Sequence, residues 1–317
     1  MSKYKISSFI SSVVENYKMY GCLTCKGGHL SNISVNSRGS HLCGNDHGMV
    51  DDLATFKNDI QTIVCDVLNL DKTYLYLNPD KILKDNHIKE IDAKISRLLA
   101  GEPLAYILGY KYFWNQKLYV TKDTLIPRAD TEVLVSTVLD NIVDKNADVK
   151  ILDLGTGTGA IALALAAELA NSQVVAVDLH QETLKIASKN AQANNIANVK
   201  FIQSSWYTSL DDGKFDIIVS NPPYIDLADT NIDQSVKDYE PAEALFAKNN
   251  GLADIKIIIS QAKNFLKQGG CIYIEHGFTQ ANAVAALFSQ YNFTGIKKIK
   301  DLNNNDRCTK ARLNYLW

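Results

Sequence analysis

The residues best suited to chemistry are Asn221-Pro222-Pro223-Tyr224, directly after the apolar run Phe215-Asp216-Ile217-Ile218-Val219-Ser220. That run predicts a buried parallel strand, so the tetrapeptide falls in the loop at the strand's carboxyl end. Open α/β sheets bind ligands in the crevice at those ends. Two consecutive prolines cannot pair in a sheet, and Pro223 keeps Pro222 out of the helical region. The turn is therefore stiff and holds Asn221 and Tyr224 on one rim. Proline has no N–H, so the local carbonyls are acceptors with little competition. A side-chain amide oxygen, a backbone carbonyl and an aromatic face together suit a planar –NH2 group. The plainer alternative is a proline-rich turn that merely closes a strand.

A second constellation is Asp153-Leu154-Gly155-Thr156-Gly157-Thr158-Gly159-Ala160, which follows one predicted strand and opens a helix. Glycines let the backbone turn sharply and approach a ligand closely. The next strand ends in Val174-Val175-Ala176-Val177-Asp178, presenting a carboxylate suited to two ribose hydroxyls. Two cofactor classes fit these residues. Gly155, Gly157 and Ala160 satisfy the dinucleotide pattern G-x-G-x-x-A. The form D-x-G-x-G-x-G equally satisfies the S-adenosylmethionine pattern of class I methyltransferases. The glycines alone do not choose. Trp206, after the third strand, can pack against an adenine ring or simply fill the core.

The elements that must position these residues follow from periodicity. Ile6, Phe9, Ile10, Val13, Val14 and Tyr17 share one helical face. Helical spacing returns from Leu53 to Leu68 and again near Asp85–Ala100, with Gly101 placed to stop the helix. Residues 106–126 alternate aromatic and polar side chains around Asn115-Gln116, which predicts a hairpin. An amphipathic helix follows over Val133–Ile142. Strands are expected at 149–154, 173–178, 198–203, 215–220 and 270–276, with helices at 159–170, 181–194, 252–267 and 279–291. That alternation implies an α/β fold with a doubly wound, mostly parallel sheet. Residues 296–300 and 309–317 add an antiparallel edge pair. The expected division is a helical domain at 1–100, a connecting hairpin at 101–130 and a cofactor-binding domain at 131–317.

Between Tyr20 and Met49 the periodicity stops, and six of the chain's 17 glycines fall there. This composition reads as a long loop. Cys22, Cys25, His29, His41, Cys43 and His47 could supply zinc ligands, but the second half lacks a standard zinc spacing. No metal is assigned.

The chain has 317 residues, 46% hydrophobic and 21% charged, enough for a large domain and a smaller one. A net charge of −2 gives no basic field, which disfavours direct nucleic-acid binding. No signal peptide or bilayer-spanning window is evident, and the cysteines suit reduced thiols, so a cytoplasmic location without membrane attachment is expected. A monomer is expected.

Taken together, several stretches resemble the HemK family, the peptide chain release factor glutamine N5-methyltransferases. They are Gly101-Glu-Pro-Leu-Ala-Tyr-Ile-Leu-Gly109, Phe113-Trp114, Ile126-Pro-Arg128, Asp130-Thr-Glu132, the glycine loop and Asn221-Pro-Pro-Tyr224. Tyr239-Glu-Pro241, Glu275-His-Gly277 and Asn305-Asp-Arg307 complete the set, so the likeness runs from about Leu53 to Trp317. The resemblance implies a seven-stranded, Rossmann-like class I methyltransferase domain behind a small N-terminal helical domain that helps hold a bacterial class I release factor. It implies S-adenosylmethionine as cofactor, contacted by Gly155, Thr156, Gly157, Thr158, Gly159, Asp178, Trp206 and Asn221. The substrate, the glutamine of a Gly-Gly-Gln loop, falls to Asn221, Pro222, Pro223 and Tyr224. Ala129 stands where the family usually has proline, and Ser205 where many relatives carry an acid. Residues 20–50 have no counterpart in the family.

The expected reaction is direct displacement of a methyl group from sulfonium by the glutamine amide nitrogen. The Asn221 side-chain oxygen and the Pro222 carbonyl accept that nitrogen's two N–H bonds, and Tyr224 fixes the amide plane. Glu132 and Glu240 are read as structural or docking residues. The competing reading is an amino-methyltransferase acting on adenine or guanine in DNA or RNA, which shares the tetrapeptide but needs a basic surface. A non-catalytic scaffold and a nicotinamide-dependent oxidoreductase are further alternatives.

Overall fold

A computed structural model describes residues 4–21, 46–211 and 213–314. The possible zinc ligands Cys22, Cys25, His29, His41 and Cys43, the side chain of His47, and the end of the last expected strand lie outside the described residues. Among those described, no group of His, Cys, Asp and Glu could hold a metal ion, and no helix is long and apolar enough to cross a membrane. The chain divides into two compact units, Met1–Leu108 and Gly109–Trp317.

The first unit is helical: α1 (Ile6–Gly21), α2 (Asp46–Leu68), α3 (Lys72–Leu77), α4 (Asp85–Leu99) and α5 (Leu104–Leu108). Its core is the periodic apolar set expected from the sequence, with Ile6, Phe9, Ile60, Ile63, Val64, Ile91 and Ile95 buried together. Helix α2 starts well before Leu53, because polar first turns leave no apolar period to read. Asp71 caps the short helix α3 by accepting from Tyr74 N at 2.7 Å. Gly101 ends the α4 region in the left-handed conformation, φ +89°.

The second unit opens with a hairpin, β1 (Tyr110–Phe113) against β2 (Gln116–Tyr119). The turn falls on Trp114-Asn115 rather than Asn115-Gln116, because Phe113 pairs with Gln116. Side chains hold Trp114 there at φ +54°: Glu132 accepts from its backbone N at 2.8 Å and Glu168 from its indole at 2.7 Å. The hairpin pairs within this second unit instead of standing apart as a connector.

A single 3₁₀ turn, Ala129–Thr131, leads into α6 (Glu132–Asp140). Then come β3 (Lys150–Leu154), α7 (Ala160–Glu168), β4 (Gln173–Asp178), α8 (Gln181–Ala193), β5 (Val199–Gln203) and β6 (Phe215–Ser220). Short pieces follow: β7 (Ile225–Asp226), α9 (Gln234–Tyr239), α10 (Ala242–Leu245) and β8 (Phe246–Ala247). The chain finishes with α11 (Ala253–Ala262), β9 (Leu266–Glu275), α12 (Ala281–Gln290), β10 (Phe293–Lys300) and β11 (Asp306–Leu313).

Seven strands form one sheet in the order β10-β11-β9-β6-β3-β4-β5. β11 runs antiparallel to both its neighbours, and every other pair is parallel. Alternate residues of the central strands enter different cores. Ile151, Val219 and Tyr273 pack with α6 and α7, while Leu152, Ile218 and Ile272 pack with α11 and α12. A sheet buried on both faces explains why these strands read as continuous apolar runs. It also places the carboxyl ends of β3, β4 and β6, which carry the glycine loop, Asp178 and Asn221, on one edge.

Candidate active site

The glycine loop is built by main-chain bonds. Gly155 N and Thr156 N both donate to Val177 O at 2.9 Å, tying the end of β3 to β4. Gly155, Gly157 and Gly159 all take positive φ, at +72°, +57° and +84°, a region that side-chain-bearing residues adopt at a cost of about 1–2 kcal/mol. Gly157 N donates to Asp178 Oδ2 at 2.9 Å, and His180 N donates to its Oδ1 at 3.1 Å. Buried Asn190 donates to Thr158 O at 2.9 Å and to Tyr119 O at 3.0 Å, pinning the loop to the hairpin. Beneath the loop, Asp153 is fully buried and accepts from Thr156 Oγ1 at 2.6 Å. Burial pushes its carboxyl up to about 7 despite that bond, and the nearby Asp178 charge pushes the same way. Asp178 is also raised by burial, against the opposing effect of the Gly157 and His180 N–H groups.

Gly155, Thr156, Gly157, Thr158, Asp178 and His180 line a cavity of about 830 Å³. Every residue expected to contact the cofactor lies on its wall except Gly159, which instead precedes α7 as its left-handed N-cap. A Cβ at Gly157 would meet nothing within 4 Å, so bare backbone faces open space there. Trp206 belongs to the wall as well as to the core beside it. Its ring lies 3.3 Å from where a Gly155 Cβ would stand. Ser205 is on the wall too. Bare glycine backbone, an aromatic face and a carboxylate at the end of β4 fit a nucleoside with a charged tail, so the residues present suit S-adenosylmethionine.

Another part of the wall is the Asn221 corner, and side chains build it. Ser220, wholly buried, donates to Leu154 O at 2.7 Å and anchors the end of β6. Asn221 and Pro223 face the cavity; Pro222 is buried and Tyr224 half-buried. Asn221 Nδ2 donates to Thr131 Oγ1 at 3.1 Å, which leaves Oδ1 as its acceptor. The Tyr224 hydroxyl donates to Glu275 Oε1 at 3.2 Å. Burial and the Glu275 charge raise the Tyr224 phenol far above its ordinary value. Glu275 is 1% exposed. Burial pushes it up to about 7, against the Thr131 hydroxyl, the Arg307 charge and the Tyr224 hydroxyl. Arg307 is itself held by Asp130 at 3.0 Å and Asp301 at 3.2 Å.

Behind the corner, the Tyr224 carbonyl accepts from Gln280 Nε2 at 2.9 Å, and the same nitrogen donates to Asn250 O at 2.9 Å. Gln280 Oε1 takes Gly277 N at 2.9 Å. Gly251, at φ +78°, passes so close that a Cβ would stand 2.0 Å from Tyr224 O. Arg128 and the backbone N of Ile126 both bond to buried Glu240, at 2.5 Å and 3.1 Å, which fixes the stretch leading to Thr131. Glu132 serves the hairpin turn, as described above.

The structure therefore brings the glycine loop, Asp178, Trp206 and Asn221 around one cavity. Thr131, Glu275, Gln280 and Gly251 support the corner and were not singled out for it from the sequence. Thr131 and Glu275 lie in stretches that resemble the family, but nothing in the spacing 131–221–275 signals contact. The arrangement offers a hydrogen-bond acceptor, Asn221 Oδ1, on the wall of that cavity. That suits delivery of an –NH2 group to a cofactor.

A family described as "PrmC N-terminal domain" matches residues 52–109, and one described as "Methyltransferase domain" matches residues 145–312. The release factor glutamine methyltransferase of Francisella tularensis subsp. tularensis (strain SCHU S4 / Schu 4) is 79% identical over 265 residues, covering 84% of this chain and 93% of its own length. The enzyme of the same description from Aliivibrio fischeri is 44% identical, covering 79% of this chain and 88% of its own length. That from Escherichia coli (strain K12) is 38% identical, with 81% and 92% covered.

Proposed function

The chain belongs to the release factor glutamine methyltransferases, and from that premise we propose that it methylates the side-chain amide nitrogen of the glutamine in the Gly-Gly-Gln loop of bacterial class I release factors. It acts as a monomer, with the helical segment at 1–100 helping to hold the release factor and the segment at 131–317 carrying the chemistry. The bonding of Asn221 supports this most directly: Thr131 occupies its Nδ2, so Oδ1 remains to accept from a carboxamide.

S-adenosylmethionine, when bound, supplies a methyl group activated by its sulfonium charge. Gly155, Thr156, Gly157, Thr158, Asp178 and Trp206 hold it, with Asp178 taking the ribose hydroxyls and Trp206 packing on the adenine. Asn221 Oδ1 and the Pro222 carbonyl accept the two amide hydrogens of the substrate glutamine, which aligns its nitrogen. These oxygens also stabilise the positive charge that develops on that nitrogen, in a site arranged before reaction. The Tyr224 ring sets the amide plane. No side chain needs to act as a strong base, because an N-methylated amide cation loses its proton readily to water.

The decisive experiment incubates the chain with methyl-labelled S-adenosylmethionine and intact release factor. Label should enter the factor and fail to enter one whose loop glutamine is replaced. Asn221→Ala should lower turnover roughly 10²-fold or more, with a smaller fall in cofactor affinity. Label in nucleic acid and none in protein, or near-wild-type turnover in Asn221→Ala, would overturn the reading.

A further inference from the structure

A side-chain amide has two ends of nearly equal shape and opposite hydrogen-bonding character. Asn221 can accept from a substrate amide only if Oδ1, and not Nδ2, faces it. Something in the fold must therefore set the direction of this group.

The local contact is Asn221 Nδ2 to Thr131 Oγ1, 3.1 Å. A threonine hydroxyl has one hydrogen and can also accept, so it has no fixed direction of its own. It serves Asn221 as an acceptor only if its hydrogen is engaged elsewhere. Among the neighbours of the Glu275 carboxylate the Thr131 hydroxyl favours the charged form most, and the two side chains meet at the corner, Thr131 on Asn221 and Glu275 on Tyr224. An ionised carboxylate can only accept. One of its oxygens, Oε1, takes the Tyr224 hydroxyl at 3.2 Å. The other, Oε2, is buried without a formed hydrogen bond, an acceptor still in want of a hydrogen. Leaving such an atom unmatched costs about 1–3 kcal/mol, which favours turning the Thr131 hydrogen toward it.

Resting on the function proposed above, we propose that Glu275 is a positioning residue that polarises the corner. From behind the substrate site it draws the Thr131 hydrogen toward itself, so that Thr131 accepts from Asn221 Nδ2 and Oδ1 is turned to the substrate. The same carboxylate holds the Tyr224 hydroxyl, so one buried group sets both side chains that grip the glutamine. Arg307 stands behind it, bonded to Asp130 and Asp301, and its charge favours the ionised, accepting form against the effect of burial.

Glu275→Gln sharpens the idea because it preserves shape while adding an NH2 group. That group can donate to Thr131 Oγ1, releasing the Thr131 hydrogen toward Asn221 Oδ1. Asn221 then presents Nδ2 to the substrate, donor against donor. A merely structural carboxylate would tolerate this near-isosteric change.

The test compares the full-length wild-type chain with Glu275→Gln, Thr131→Val and Thr131→Ser. The first two should lose roughly 10²-fold in kcat, the scale of a misplaced reacting group, with KM for the release factor and Kd for S-adenosylmethionine little changed. Thr131→Ser keeps the hydroxyl and should recover most of the loss. The second readout is the Asn221 side-chain amide resonance in ¹⁵N-labelled protein, identified by its absence in Asn221→Ala. It should resist solvent exchange in wild type and Thr131→Ser and lose that protection in Thr131→Val. This readout needs no turnover, so failure of the relay is distinguished from failure of the release factor as substrate. Wild-type kcat in both Glu275→Gln and Thr131→Val, or unchanged amide protection in Thr131→Val, would overturn the proposal.

Discussion

The two walls of the cavity are held in different ways. On the glycine-loop wall, Gly155 N and Thr156 N bond to Val177 O, and Asp178 is gripped by backbone N–H groups of Gly157 and His180. On the Asn221 wall, Thr131, Glu275 and Gln280 reach in from distant stretches to hold Asn221 and Tyr224. A main-chain cradle tolerates changes in neighbouring side chains but needs residues able to take positive φ. A side-chain cradle sets polarity and direction atom by atom, and it fails when one member is lost. The first arrangement suits a ligand held throughout by shape and charge. The second suits a group that must point at a reacting atom.

The largest expected break in this contrast is Gly251→Ala. Its Cβ would stand 2.0 Å from Tyr224 O and 2.6 Å from Gln280 Nε2, at φ +78°. Backbone cannot yield that far without moving the Asn-Pro-Pro-Tyr turn. Steady-state kinetics should show kcat reduced by roughly 10²-fold or more, as for a displaced catalytic group. Calorimetry should find a smaller loss in S-adenosylmethionine affinity, since Gly251 itself is not on the cavity wall. Retained kcat would mean that the corner is not held rigidly by its supports.

Gly157→Ala probes the other wall and should give the reverse pattern. No atom lies within 4 Å of the added methyl, so the chain can fold around it, but φ +57° becomes strained and the bare backbone facing the cavity is lost. The strain of about 1–2 kcal/mol falls on the fold. The methyl intrudes where the ligand meets bare backbone, so S-adenosylmethionine binding should weaken roughly tenfold, about 1.4 kcal/mol. At saturating cofactor, kcat should return nearly to wild type. Opposite effects of Gly251→Ala and Gly157→Ala would establish that the walls divide orientation from retention. Equal losses of kcat would join them into one unit.

The same contrast explains what could be read from the chain alone. A backbone-built wall leaves its signature in sequence, because only glycine meets its φ demands without strain: Gly155, Gly157 and Gly159 announce it, and Asp178 follows at the end of the next strand. The parallel sheet was legible for a related reason, since strands buried on both faces are continuous apolar runs between helices. Of the side-chain wall, residue chemistry alone announced only the tetrapeptide, although Thr131 and Glu275 fall in stretches that resemble the family. Thr131, Gly251, Glu275 and Gln280 gain their roles by converging in space, and no periodicity in the chain predicts that meeting. The short pieces between Ile225 and Gly251 escaped for want of length. Asn249 and Asn250, both at positive φ, shape that stretch without any apolar pattern. The hairpin turn shifted by one residue because Glu132 and Glu168 hold Trp114 in a conformation its type does not favour.

The smallest effect expected concerns the two buried carboxyls, one behind each wall. Asp153 and Glu275 are both pushed up to about 7 by burial, but their neighbours differ. Glu275 faces the Arg307 charge, whereas Asp153 faces Asp178 and has the Thr156 hydroxyl as its bonded partner. Asp153 therefore has no cation to offset the cost of ionising. Its value in the fold lies above its ordinary 3.8, so the folded state binds a proton that the unfolded chain has already released. The resulting stabilisation is complete below 3.8 and is lost as pH rises to about 7. Asn at this position cannot ionise and escapes the loss. The melting temperature of Asp153→Asn minus that of wild type should thus climb by several degrees across this window and level off above it, in ligand-free protein. A difference that stays flat across the window would show Asp153 already ionised in the fold, and the main-chain wall would then need a countercharge of its own.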